Sequence, residues 1–368
     1  MTGKDSEQYE LHKRNLVAPV RKQGFALLSE SGVTLSTSGH NGASVYGGGG
    51  QVIDILTSDK VRVSGVARET LTVNSGYLQN AIDNELLPWA VEFCTDSALV
   101  EVLYQASTSP SFRLNVNGTR ISQAFMSVTN GGGGLYRLRI TPPEGRSVRT
   151  YCMQFLSMFP ATISVGATET IWAAPKAKPQ WAFLGDSYTQ QNGGENWAST
   201  TAALLGVTPL LNGSGGTGYI QVNGAHPNLQ TRLPDVLAAD LDGVVIAMGI
   251  NDGDGENLYR AVISVVRQLR TQFPLAPVFV LGPWRPGDGS ASAQAAKATT
   301  IQTAAGVAGA YYIDNELWMF GTGKVGSTTG DGNADVYVSS DGIHPTLAGS
   351  QYLGARVAAE ITNILRSI

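Results

Sequence analysis

Near residue 175 the chain changes its apolar period, and no other feature constrains the fold as much. From about 51 to 170, apolar residues recur at every second position. Val61 and Val63 flank Arg62. Trp89, Val91 and Phe93 alternate, as do Val100, Val102 and Tyr104, and then Phe112, Leu114 and Val116. A period of two marks strands whose successive side chains point to opposite faces. Asn117-Gly118 closes the last of these runs. That dipeptide tolerates the positive φ angles of a tight hairpin. Leu135, Leu138 and Ile140 continue the series less regularly, and 153–157 and 163–165 supply further strands. Many short strands with turns between them predict an all-β sandwich.

Beyond residue 180 short apolar runs alternate with helical segments. Trp181–Leu184, Pro209–Leu211, Val244–Met248, Val278–Leu281 and Tyr311–Ile313 read as strands. Helices are predicted at about 195–206, 256–273, 291–307 and 346–366. In the second of these, Leu258, Val262, Ile263, Val266 and Leu269 recur near a 3.6 period. Strands alternating with helices predict an α/β domain, a parallel sheet covered on both faces, with ligands beyond the carboxyl ends of the strands. Residues 172–180 hold two prolines and two lysines and read as a linker. The predicted order is a polar arm at 1–23, a β-sandwich over 24–171, the linker, and an α/β domain over 181–368.

Composition removes several function classes. The 368 residues carry 25 Lys and Arg against 29 Asp and Glu, a net charge of −4. A basic nucleic-acid footprint is absent, and no apolar run is long enough to predict a membrane helix. Two cysteines, Cys94 and Cys152, are too few for a disulfide framework or, alone, for a zinc site. They either pair once or stand as two buried thiols, and the second fits free Cys as a small hydrophobe. The first residues lack the apolar stretch of a signal peptide. That leaves compartment open between no export by that route and a chain that starts after its signal.

The chemistry-bearing residues sit at successive strand ends. The first strand ends in Gly185-Asp186-Ser187-Tyr188, which reads either as a nucleophile site or as a helix cap. The second ends in a glycine-rich turn, 212–218, whose Gly213, Gly215 and Gly218 match G-x-G-x-x-G. A dinucleotide site needs a helix start there, and 219–233 lacks a helical pattern. The third strand ends in Gly249-Ile250-Asn251-Asp252. Asn251 can present an N–H to developing negative charge. Asp252, Asp254 and Glu256 lack the spacing of an EF-hand and read as acidic residues at a helix start. Of the four histidines (His12, His40, His226 and His344), only His344 has a carboxylate three residues earlier. Asp341 can accept from its Nδ1–H while Nε2 faces outward. Pro345 then suits the first position of a helix.

Taken together, in this order, these blocks resemble the SGNH (also called GDSL) hydrolase family over about 180–368. The family's four invariant residues match Ser187, Gly216, Asn251 and His344, with Gly215 as the other choice for the glycine. Tyr188 stands where the family name has Leu. The G-x-S-x-G elbow of α/β-hydrolases occurs nowhere. The resemblance implies a flavodoxin-like three-layer fold and a serine esterase needing no metal or cofactor. Ser187 attacks, His344 carries the proton, and Asp341 orients His344. The Ser187 and Gly216 amides and the Asn251 side chain form the oxyanion hole. Residues 91–118 look like the jelly-roll domain that precedes some carbohydrate acetylesterases. That implies O-acetyl esters on a polysaccharide as substrate, met outside the cell or on a virion. Asp186, Tyr188, Trp284 and Arg285 are the candidate substrate contacts, with Trp284 placed to stack on a sugar or to be plain core. The loops 285–295 and 318–340 are expected to set substrate choice. The alternatives are a lipid or other acyl esterase or thioesterase, and a non-catalytic glycan-binding module or phage-tail component.

Overall fold

The computed structural model describes residues 32–368 apart from 38–41, 67–70, 75–76, 80, 83–84, 87–88, 107–110, 122–125, 128–133, 157, 177, 191–195 and 289–290. The arm at 1–23, His12 and His40 lie outside the described residues. The chain divides into two compact units. One takes Leu86–Ala177 with the described residues of 32–81, the other Lys178–Ile368.

The first unit holds an antiparallel sheet of five strands and another of seven. Their inner faces meet in one core, with Val100, Val102, Leu138 and Ile163 from one sheet and Phe93, Leu114, Tyr151 and Met153 from the other. This is the sandwich that the period of two predicts. Asn117 and Gly118 take φ of 51° and 79° at the hairpin between Ser111–Val116 and Thr119–Arg120. Two details differ from the sequence reading. In Leu135–Thr141 the buried face is Tyr136, Leu138 and Ile140; Leu135 points the other way. Ile171–Ala173 is a strand paired with Trp89–Thr95, so residues 172 and 173 belong to the sheet rather than to a linker. Backbone pairing outweighed the signal of nearby prolines. Cys94 is buried and Cys152 half-buried, and no disulfide joins them.

In the second unit five parallel strands lie in the order Thr208–Gly213, Gln180–Gly185, Gly243–Ala247, Val278–Leu281, Tyr311–Ile313. In chain order this is 2-1-3-4-5, so the direction of winding reverses between the first and third strands. The first, third and fourth strands are buried along their whole length, as their unbroken apolar runs require. Helices Trp197–Leu205, Glu256–Gln272, Ala291–Ala308 and Leu347–Ser367 fall where the apolar spacing predicts them. Asn196 caps the first through a reciprocal bond with Ser199. Gly354 of the last helix packs so closely on the first that an added Cβ would lie 2.5 Å from the Trp197 carbonyl.

Besides the four-residue helices Ser187–Gln190 and Ala334–Tyr337, one longer helix lies outside the sequence reading. Leu229–Leu237 contains Pro234, which masks its pattern. Its buried stripe is Leu229, Arg232, Leu233 and Val236. Among the described residues no helix is long and apolar enough to cross a membrane.

Candidate active site

Ser187 enters the site from the end of the first strand. Gly185 makes the exit tight: a Cβ there would fall 1.9 Å from the Thr189 hydroxyl. Asp186 Oδ1 accepts the Tyr188 N–H at 3.0 Å, and the Asp186 carbonyl accepts the N–H groups of Thr189 and Gln190 at 3.1 Å. This turn starts the short helix Ser187–Gln190 and leaves Ser187 partly accessible.

His344 arrives from the other end of the unit, 157 residues later. Its turn is organised by Asp341. One Asp341 oxygen accepts the N–H groups of Ile343 (2.9 Å) and His344 (3.0 Å) and the Ser339 hydroxyl (2.6 Å). The other lies 2.7 Å from His344 Nδ1. Facing a carboxylate, Nδ1 carries the proton, and Nε2 is left to accept from the Ser187 hydroxyl 2.9 Å away. Partial burial works to raise the Asp341 carboxyl, but the bonds from Ser339, Ile343 and His344 hold it well below the usual carboxylate range. It therefore stays charged wherever His344 must keep this tautomer.

Two amides and one side chain complete the arrangement. Gly216 adopts φ +71°, and a Cβ there would lie 2.4 Å from Asn223 Nδ2. Gly215, the other choice, keeps an ordinary φ and would meet only the end of the Gln190 side chain. Neither the Ser187 nor the Gly216 amide has a hydrogen-bond partner among the described residues. Asn251 Nδ2 donates one hydrogen to the Thr217 carbonyl at 2.9 Å, which fixes its plane and leaves the second hydrogen over. Ser187, Gly216 and Asn251 thus follow three neighbouring strands, at the reversal of winding where open α/β sheets bind ligands.

The other candidate substrate contacts are corrected. Asp186, Tyr188 and Trp284 are at most 2% exposed and touch no surface. Tyr188 stacks on Trp284 with centroids 5.3 Å apart, so Trp284 is core rather than a sugar platform. Arg285 is folded back onto Asp288 (2.5 Å) and Glu316 (3.5 Å). Burial pushes the Asp186 carboxyl up to about 7; the Tyr188 N–H and Arg232 oppose this, and Asp252 adds to it. The loop over 318–340 is knit rather than loose. Asp288 and Gly321 exchange two backbone-directed bonds at 2.9 Å, and Asp331 gathers Thr322 and Thr329.

Sequence reasoning missed two residues. Asp252 is no helix-start acid: it is buried, and its carboxylate accepts the N–H groups of Tyr219, Ile220 and Gln221 at 2.8–3.0 Å. These amides follow directly on the glycine-rich turn 212–218. Gly218 is glycine because a Cβ would lie 2.2 Å from that carboxylate. Asp254 instead takes the Thr300 hydroxyl, and Glu256 pairs with Arg260. The three acids therefore point three ways. Among the described residues no group of three or more His, Cys, Asp or Glu could hold a metal ion. Arg232 ties the first two strand ends together, donating to Asn212 and to the Gly185 carbonyl. Its signal, an arginine inside an apolar helical stripe, was hidden together with the helix by Pro234.

The family model for the GDSL-like lipase/acylhydrolase family matches residues 183–352. This stretch is a GDSL-like lipase/acylhydrolase domain. The structure of the whole chain is similar to that of the salicylyl-acyltransferase SsfX3 from a tetracycline biosynthetic pathway, at 14% identity and a TM-score of 0.63. The match covers 86% of this chain and 98% of that one. An acetyl xylan esterase, Est2A, from Butyrivibrio proteoclasticus matches at 15% identity and a TM-score of 0.55, with the same coverage. A family two carbohydrate esterase from Clostridium thermocellum, solved with cellohexaose, matches at 19% and 0.53, covering 84% of this chain and all of that one. These likenesses extend the shared fold beyond the GDSL-like domain to the antiparallel unit before it. A comparison with curated protein sequences gives no match.

Proposed function

We propose that this protein is a serine esterase acting on O-acetyl groups of a carbohydrate. The observation that carries the reading is the unbroken line Asp341 Oδ2, His344 Nδ1, His344 Nε2, Ser187 Oγ, with steps of 2.7 and 2.9 Å. Ser187 Oγ attacks the ester carbonyl carbon as its proton passes to Nε2. The oxyanion that forms is received by the Ser187 and Gly216 N–H groups and by the second hydrogen of Asn251 Nδ2. Such donors act on charge present only in the transition state, and losing one typically costs about 3 kcal/mol of barrier. Nε2 then protonates the departing sugar oxygen. Water, deprotonated by the same nitrogen, cleaves the acyl-enzyme. Asp341 remains charged throughout and stabilises the imidazolium.

The carbohydrate part of the proposal draws support from the fold shared with the acetyl xylan esterase and the family two carbohydrate esterase. A longer or lipid acyl group is the second reading. It is favoured by the exposed side chains of Ile343 and Leu347, on either side of the histidine turn.

The test compares wild type with Ser187→Ala on 4-nitrophenyl acetate, butyrate and octanoate, alongside acetate release from acetylated xylan. The expected result is acetate preference, with kcat/KM falling more than about a thousandfold in the variant at unchanged Tm. Preference for octanoate overturns the acetyl assignment, and turnover that survives in Ser187→Ala overturns the esterase mechanism.

A further inference from the structure

His344 is held firmly on two sides. Asp341 fixes Nδ1, and Ser187 lies at Nε2. Two partners at opposite nitrogens leave the ring free to rotate about the line that joins them. The turn that carries it, 339–344, is largely at the surface. Whatever fixes the tilt must come from the interior.

The interior supplies Tyr188. Its ring is fully buried, with its centroid 5.9 Å from that of the imidazole and the planes at 50°. Behind it Trp284 stacks at 5.3 Å and 7°, and behind Trp284 stands Trp197, edge-on at 5.3 Å. Trp197 Nε1 is in turn anchored to the Thr189 hydroxyl at 3.1 Å. The Tyr188 hydroxyl donates to the carbonyl of Ile343, the residue just before the histidine. One side chain therefore touches both the ring and the backbone that carries it, and it is backed by core that cannot yield without opening a cavity.

We propose that Tyr188 is a positioning residue for His344, setting the tilt and height of the imidazole over Ser187 through its ring face and its bond to Ile343. The proposal rests on the serine-esterase reading for its kinetic consequences. Leucine, which stands in this place in the family's own four-letter name, offers neither the hydroxyl nor the face.

Two variants and a background separate positioning from plain stability. Tyr188→Phe keeps the face and loses the tie; kcat is expected to fall about fivefold to tenfold, the worth of one hydrogen bond. Tyr188→Leu loses both, and kcat is expected to fall about a hundredfold, the order of cost of a misplaced group. KM for 4-nitrophenyl acetate stays within about twofold in both, because neither change touches bound substrate. Added to His344→Ala, Tyr188→Leu is expected to change the residual rate by less than about twofold, since residues acting as one unit are not additive. In substrate-free protein the His344 Nδ1–H resonance should stay sharp in Tyr188→Phe and broaden by exchange in Tyr188→Leu.

Wild-type kcat in Tyr188→Leu overturns the proposal. So does an equal loss in the His344→Ala background, which would mark a general structural defect. The Nδ1–H measurement needs no ester. If Ser187→Ala kept its activity, it would still decide whether Tyr188 holds the ring, and an unchanged resonance in Tyr188→Leu would overturn that too.

Discussion

Glu101 in the antiparallel unit and Asp252 in the GDSL-like domain are both buried carboxylates, satisfied by different means. Glu101 faces Arg139 directly across a strand pair, accepts from its Nε at 2.9 Å, and takes further bonds from Ser44 and the Val45 amide. Burial raises its carboxyl, but these partners bring it below the ordinary value. Asp252 takes three successive backbone amides of a turn instead. A cross-strand cation stabilises two strands that already pair. A carboxylate on three consecutive N–H groups dictates the path of the chain that makes them, here the segment following Gly216. The same cost of burial buttresses a sheet in one unit and shapes a site in the other.

Asp186 carries the comparison to its extreme. One of its oxygens holds a single amide, and the other has no hydrogen-bond partner among the described residues. Its carboxyl, near 7 in the folded protein, keeps a proton that the unfolded chain has lost above about 4. Between those values the native state binds more protons, so stability falls as pH rises. Asp186→Asn is expected to flatten this fall, which for a shift of this size is on the order of 4 kcal/mol. Urea unfolding at pH 4.5 and pH 8 measures it. A fall of equal size in the variant would assign the pH dependence elsewhere.

Asp252→Ala leaves three amides without their acceptor. We expect a loss of about 3 kcal/mol in stability. The slackened turn is expected to bring about a tenfold drop in kcat, as for a misplaced donor. Glu101→Ala strands Arg139, Ser44 and the Val45 amide, but Arg139 is already one-quarter exposed, Ser44 half-buried and Val45 exposed, so all three can turn to water and about 2 kcal/mol is expected. Activity per folded molecule should not change. If Glu101→Ala lowered kcat, or Asp252→Ala cost stability alone, the contrast between the two carboxylates would fail.

Much of this was legible in the sequence. The period of two gave the sandwich strands, unbroken apolar runs gave the parallel strands, and local spacing placed Asp341 beside His344. What was not legible depends on contacts distant in sequence. Asp252 lies 31–33 residues from its amides, so nothing nearby distinguishes it from Asp254. Trp284 follows a strand end, which suggests the site mouth, but the ring of Tyr188 covers it. Pro234 hid a helix that tertiary packing of Leu229, Leu233 and Val236 stabilises nonetheless. In each case the residue type was right for two environments, and only the fold chose.

The distance along the chain between Ser187 and His344 has a consequence for synthesis. Ser187, the glycine turn and Asn251 are made early, after the first three strands of the parallel sheet. His344 comes just before the helix Leu347–Ser367, whose Gly354 must seat against Trp197 at backbone contact. On the proposed esterase reading, a growing chain on the ribosome is inert toward esters until the segment that carries His344 has emerged and docked.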